Sequence, residues 1–91
     1  MKKTINTNIN GISFIIDEDA YKVLNEYLIS IKSHFKDKKG SEEIINDIES
    51  RIAELFQQML NDKKQVLNID DVNQVKLQMG KPSDFDQEDE E

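Results

Sequence analysis

Cysteine is absent from this 91-residue chain, proline and histidine occur once each, at Pro82 and His34, and glycine only three times. Without cysteine there is no disulfide framework, no thiolate metal site and no thiol nucleophile, a composition that fits a reducing compartment. With no second histidine and no cysteine beside it, His34 reads as a helix-end residue and not as a metal ligand or catalytic base. Gly11, Gly40 and Gly80 are each spaced as a turn or a helix stop, so no glycine-rich phosphate loop exists. No apolar run approaches the roughly 20 residues of a membrane span. The start Met1-Lys2-Lys3-Thr4 leads into polar and apolar alternation, where an export signal would have a continuous apolar core. One soluble domain with one core is expected from a chain this short.

The formal net charge of −7 is unevenly spread. Asp84, Asp86, Glu88, Asp89, Glu90 and Glu91 supply six of the nineteen acids, which leaves thirteen acids against twelve Lys and Arg in 1–83, a net of −1. A nearly neutral body with an acidic tail does not suit a phosphate backbone, which is bound by clustered Lys and Arg. Nucleic acid is therefore excluded as a partner.

What is present is patterned for folding. Residues 4–16 predict a β-hairpin turning at Asn10-Gly11, the residue pair that accepts φ above zero at both central positions. That turn sets Ile9 opposite Ile12, Thr7 opposite Phe14 and Ile5 opposite Ile16, all on one face. Thr4, Asn6, Asn8, Ser13 and Ile15 fall on the other, where Ile15 is the apolar exception. Asp17-Glu18-Asp19 predicts a helix start, with an N-cap and acids favoured by the helix dipole. A cation loop is the sharper alternative, but the glycine an EF-hand requires is missing. Tyr21, Leu24, Tyr27, Leu28, Ile31 and Phe35 then form a buried stripe flanked by Val23. Lys36, Lys38 and Lys39 follow at the helix end, and Gly40 is placed as its C′ residue.

A second helix is the strongest periodic signal in the chain, with apolar residues at 45, 48, 52, 55, 56, 59 and 60. Ser41 is expected to cap it, with Glu42 and Glu43 in its first turn. Two helices of matched length joined by a short link predict an antiparallel helical hairpin. Asp47, Arg51 and Glu54 decorate its exposed side as an i, i+4, i+7 trio worth tenths of a kcal/mol. Asn61-Asp62-Lys63-Lys64 breaks the pattern. Gln65-Val66-Leu67 could add a very short strand to the hairpin edge, and the sequence leaves open whether it does. Asn68 followed by Asp71 resembles a capping box, opening a third helix with Val72, Val75 and Met79 inward and Leu77 at the margin. Gly80 and Pro82 end it. The fold class is α+β: an N-terminal β-hairpin packed with a long antiparallel helical hairpin and a short third helix. Residues 1–85 are assigned to one domain, with Phe85 placed to fold back onto it, and 86–91 to a disordered acidic tail or the start of a linker.

No chemistry accompanies this frame. The Ser and Thr residues lie in strand, cap or surface contexts, and carboxylates cluster at helix starts and in the tail, so no catalytic, cofactor or metal residue is assigned. Candidate interaction residues are Ile15, on the outer hairpin face, and the trio Asp47, Arg51 and Glu54. Ile15 would be the first suspect in a homodimer contact, although a scattered exposed apolar residue is the plainer account of it.

One family likeness runs through these elements. Asp17-Glu18-Asp19-Ala20-Tyr21, Leu24, Tyr27-Leu28, Ile31, His34-Phe35, Glu43-Ile44, Asp47-Ile48-Glu49 and Arg51-Ile52-Ala53-Glu54-Leu55-Phe56 belong to it. So do Asp71-Val72, Val75 and Met79-Gly80-Lys81-Pro82-Ser83-Asp84-Phe85. Together they resemble the N-terminal cytoplasmic region of bacterial PspC-domain membrane proteins, relatives of phage shock protein C. In that family an acidic linker leads into a PspC module with membrane-spanning segments, which this chain lacks. The resemblance implies a regulatory adaptor in envelope stress or transcription, at the cytosolic face of the inner membrane, with an unidentified protein partner or a homodimer. The helix pair ending in Gly-Lys-Pro is also similar to short helical prefix domains before some bacterial permease segments. The alternative is a free-standing cytosolic accessory or antitoxin-like protein, which predicts that the native chain stops at Glu91.

Overall fold

A computed structural model of the chain describes residues 3–81. The element order is β1 (Thr4–Ile9), β2 (Ile12–Asp17), α1 (Glu18–Phe35), α2 (Ser41–Met59), β3 (Val66–Leu67) and α3 (Ile69–Met79). Asn10 and Gly11 both take positive φ, 54° and 82°, as a type I′ turn demands. The Asn8 side chain closes the turn by accepting from the Gly11 N–H at 3.0 Å. The strands pair in the expected register, Ile9 with Ile12, Thr7 with Phe14 and Ile5 with Ile16. Phe14, Ile16 and Ile9 are buried on the helix-facing side.

The short strand forms. β3 pairs parallel to β2, with Val66 beside Ile15 and Leu67 beside Ile16, so the sheet order is β1-β2-β3. Alternation then places Leu67 in the core and Val66 on the outer face beside Ile15. Between α2 and β3, Asn61 shapes a tight turn: its Oδ1 accepts from the N–H groups of Lys63 and Lys64 at 2.8 and 3.0 Å, and the Asn61 N–H donates to the Lys64 carbonyl.

Each helix buries the face that its spacing dictates. α1 buries Ala20, Leu24, Tyr27, Ile31 and Phe35, and α2 buries Ile48, Ile52, Ala53 and Phe56. Phe56, near the end of α2, meets Phe14 of the sheet edge-to-face at 5.6 Å. Lys32, near the end of α1, pairs with Glu49 in the first half of α2 at 3.7 Å. The two contacts together require α2 to run back toward the sheet from which α1 departs. The helical hairpin is therefore antiparallel. α3 packs against both long helices through Val72 and Val75. Its start is held by a complete capping box, in which Asn68 Oδ1 accepts from the Asp71 N–H and Asp71 Oδ2 accepts from the Asn68 N–H, both at 2.9 Å. Lys64 adds an ion pair to Asp71 at 2.9 Å.

Several local expectations are corrected. Gly40 is not the C′ residue of α1, which ends at Phe35 with Lys36 still helical in its backbone. Gly40 instead stands immediately before α2 with φ 75°, and Ser41 is the first helical residue and not the cap. The left-handed conformation reverses the chain there, a bend cheap only for a residue without Cβ. Asp17 occupies the N-cap position of α1 but makes no side-chain cap bond. The first turn is met by other groups: the Glu18 N–H donates to the Lys3 carbonyl at 2.8 Å, and the Ala20 N–H donates to Asp19 Oδ1 at 2.7 Å. Leu77 is 81% exposed; at 100° per residue it lies about 200° around from Val75, away from the buried face. Ala20 and Ala53, small residues that let neighbouring elements approach closely, belong to the core although periodicity in large side chains did not mark them. The acidic tail, Pro82 as a helix stop and the fold-back of Phe85 lie outside the described residues.

Phe56→Ala is expected to lower the unfolding free energy by ~3–5 kcal/mol, and Asn68→Ala by about 1 kcal/mol. Urea titration followed by circular dichroism measures both. A Phe56→Ala loss no larger than that of Asn68→Ala contradicts the packing described.

Candidate interaction surfaces

Four surfaces come out of this frame, and the sequence-derived residues fall on two of them. Ile15 is 42% exposed on the outer face of the sheet, where its register partner is the half-buried Val66. It is thus half of a cross-strand apolar pair and not an isolated residue. Asp47, Arg51 and Glu54 are exposed on α2. Asp47 and Arg51 line a depression of about 280 Å³ with Ile48, Gln78 and Met79, at the junction of α2 with the end of α3. Glu54 and Ile15 lie outside it. The four residues do not form one site, because α2 packs on the opposite face of the sheet from Ile15.

The third surface is the free edge of β1. Ile9 and Ile12 flank the turn as a hydrogen-bonded pair, so bonded pairs recur at Thr7–Phe14 and Ile5–Ile16. The bond from Glu18 to Lys3 continues the same alternation. The N–H and C=O groups of Thr4, Asn6 and Asn8 consequently point away from β2. β1 is an outer strand of the sheet, and its six residues, TINTNI, carry no charge and no proline. These are the usual devices that keep an edge from pairing. Ile5 and Thr7 are half-buried beneath that edge, so an added strand would extend the core with its inward-facing side chains.

The fourth surface escaped sequence reasoning. A groove of about 740 Å³ runs between α1 and α3, lined by Glu26, Tyr27 and Ser30 on one side and Asn73, Lys76, Leu77, Gly80 and Lys81 on the other. Tyr27 is its floor. The phenol donates to the Gly80 carbonyl at 2.6 Å, and the Lys76 ammonium stands 5.8 Å from the ring centroid, within cation–π range. Tyr27 belonged to the apolar stripe of α1 and so read as core; it is only 6% exposed. The signal was its hydroxyl, since a buried phenol needs a partner and the end of α3 supplies one. Gly80 holds that carbonyl in place with φ 93° and an N–H bond to the Lys76 carbonyl at 2.8 Å.

Elsewhere, His34 is half-buried on the last turn of α1, its ring edge-on to Phe35 at 4.9 Å. Among the described residues no three His, Cys, Asp or Glu stand together in a metal-binding arrangement, and no helix is long and apolar enough to cross a membrane. No protein-family model, curated protein or solved structure matches the chain.

Tyr27→Phe keeps the ring and removes the bond to Gly80. It is expected to cost about 1 kcal/mol and to speed amide hydrogen exchange in the last turn of α3 while leaving the sheet amides unchanged. Unaltered exchange in that turn would show that the phenol does not hold it.

Proposed function

We propose that this chain is a non-catalytic interaction domain, the cytosolic head of a PspC-like protein of the inner membrane acting in envelope-stress or transcriptional regulation. It works by taking an extended segment of a partner protein along β1. The observation that carries the reading is the uncharged outer edge of β1, with the backbone groups of Thr4, Asn6 and Asn8 directed outward. Strand addition draws affinity from main-chain bonds and specificity from alternate side chains. The fitting segment alternates apolar residues, packed beside Ile5 and Thr7, with polar residues beside Asn6 and Asn8. The family assignment is supported by the resemblance itself, whose residues include the buried Leu24, Tyr27, Ile48, Ile52, Phe56, Val72 and Val75. These are framework positions, and the binding edge is a product of that framework.

Asn6→Pro removes one outward N–H, and proline is tolerated on an edge strand in that orientation. With a photo-crosslinking residue at position 8 and a control at the exposed Gln58, bacterial cells are expected to yield a specific protein adduct from position 8 alone. Asn6→Pro should abolish it. An adduct unaffected by Asn6→Pro, or none from position 8, contradicts strand addition at this edge.

A second reading is a free-standing accessory or antitoxin-like protein that self-associates through the outer sheet face. The paired Ile15 and Val66 favour it, since they are adjacent apolar residues on a face whose other strand residues are polar, Thr4, Asn6, Asn8 and Ser13 among them. Under that reading Ile15→Lys reduces the mass measured by light scattering to that of one chain. An oligomer unchanged by Ile15→Lys excludes the contact.

A further inference from the structure

We propose that the strand taken up by β1 is β1 of a second copy of this chain, paired antiparallel about a twofold axis at Asn6. The inference rests on strand addition at that edge and names its occupant.

The outward groups of β1 are self-complementary. Its backbone directs the N–H and C=O of Thr4, Asn6 and Asn8 away from β2, and antiparallel strands exchange both bonds at every second residue. An axis at Asn6 places Asn6 against Asn6 of the second copy, and Thr4 against its Asn8. All the outward groups of both strands are then bonded, about six main-chain hydrogen bonds in all. An axis at Ile5 sets Asn8 beyond the start of the other strand, and one at Thr7 sets Thr4 at its turn. The ladder therefore selects one register. Side chains agree with it. β1, TINTNI, is itself the alternating segment that the edge accepts. Directly opposite residues share a face, so Ile5 and Thr7, both half-buried, cover each other on the helix side. On the outer face the exposed Asn6 carboxamides, each both donor and acceptor, meet at the axis.

Charge and topology let this contact close. No residue of β1 is charged, so a strand meeting its own copy sets no like charges side by side. The opposite edge of the sheet, β3, is only two residues long, so addition ends at two copies and does not run on into a filament. The rotation keeps the helices of both copies on one side of a continuous sheet ordered β3-β2-β1-β1-β2-β3. One strand pair covers less than the roughly 1,200 Å² of a standard stable interface. The pair therefore dissociates on dilution and leaves the edge open.

Introduced cysteines test the register directly, because the chain has none of its own. With a short bis-thiol reagent and concentrated protein, Asn6→Cys is expected to crosslink into a species of two chains. Thr4→Cys and Asn8→Cys are expected to crosslink when mixed and not alone, since each lies about 14 Å along the strand from its own counterpart. Light scattering is expected to give two chains at high concentration and one on dilution. Asn6→Pro should hold the mass at one chain. Ile15→Lys should leave it at two, which separates this contact from one through the outer sheet face. Equal crosslinking of Thr4→Cys, Asn6→Cys and Asn8→Cys alone, or a mass of one chain at every concentration, overturns the proposal. The photo-adduct at position 8 tells that failure from failure of strand addition itself. An adduct with a different protein overturns the second copy as occupant and keeps strand addition, whereas no adduct overturns both.

Discussion

The pairing of two residues decides where the last third of the fold lies. Val66 and Leu67 join β2 in parallel beside Ile15 and Ile16, and a parallel neighbour needs a crossover, which α1 and α2 together provide. Leu67 is fully buried by that pairing. Asn68 follows at once and caps α3 through its exchange with Asp71, so the direction of α3 is set at the sheet and not at its far end. From there α3 runs along the long helices until the Gly80 carbonyl meets the Tyr27 phenol. The groove exists because α3 is anchored at both ends, by β3 and by Tyr27.

The same pairing makes the two sheet edges unequal. β3 occupies the β2 side over Ile15 and Ile16, while β1 keeps its outward backbone groups on the other. The outer face gains Val66 beside Ile15, which turns a single exposed residue into an apolar pair. A fold of this size has little apolar area with which to form both a core and a large interface. An edge needs little apolar area, since it binds chiefly through main-chain hydrogen bonds already oriented by the ladder.

Much of this was legible where the governing interactions are local. Asn10-Gly11 and the alternation around it dictate the hairpin register, because turn geometry and side-chain period are properties of adjacent residues. Asn68 and Asp71 announce their box for the same reason. The link between the long helices was less legible: Gly40 serves equally as the end of one helix or the entrance to the next, and only the packed position of α2 distinguishes them. Strand β3 was ambiguous because two residues carry no period, and its existence depends on β2 being within reach. The α1–α3 groove was invisible for a deeper reason. It is lined by residues from two helices whose juxtaposition is tertiary, and its floor, Tyr27, has the spacing of an ordinary core position. The trio Asp47, Arg51 and Glu54 shares the exposed side of α2 as spacing requires, yet only Asp47 and Arg51 meet the end of α3.

The account stands on an open β1 edge, and residue-resolved amide hydrogen exchange on the dilute protein tests that most directly. The ladder predicts alternation along the strand: slow exchange at Ile5, Thr7 and Ile9, whose N–H groups face β2, and fast exchange at Thr4, Asn6 and Asn8. Uniform protection across Thr4–Ile9 would mean that the edge is already covered, and would contradict the strand addition proposed for it.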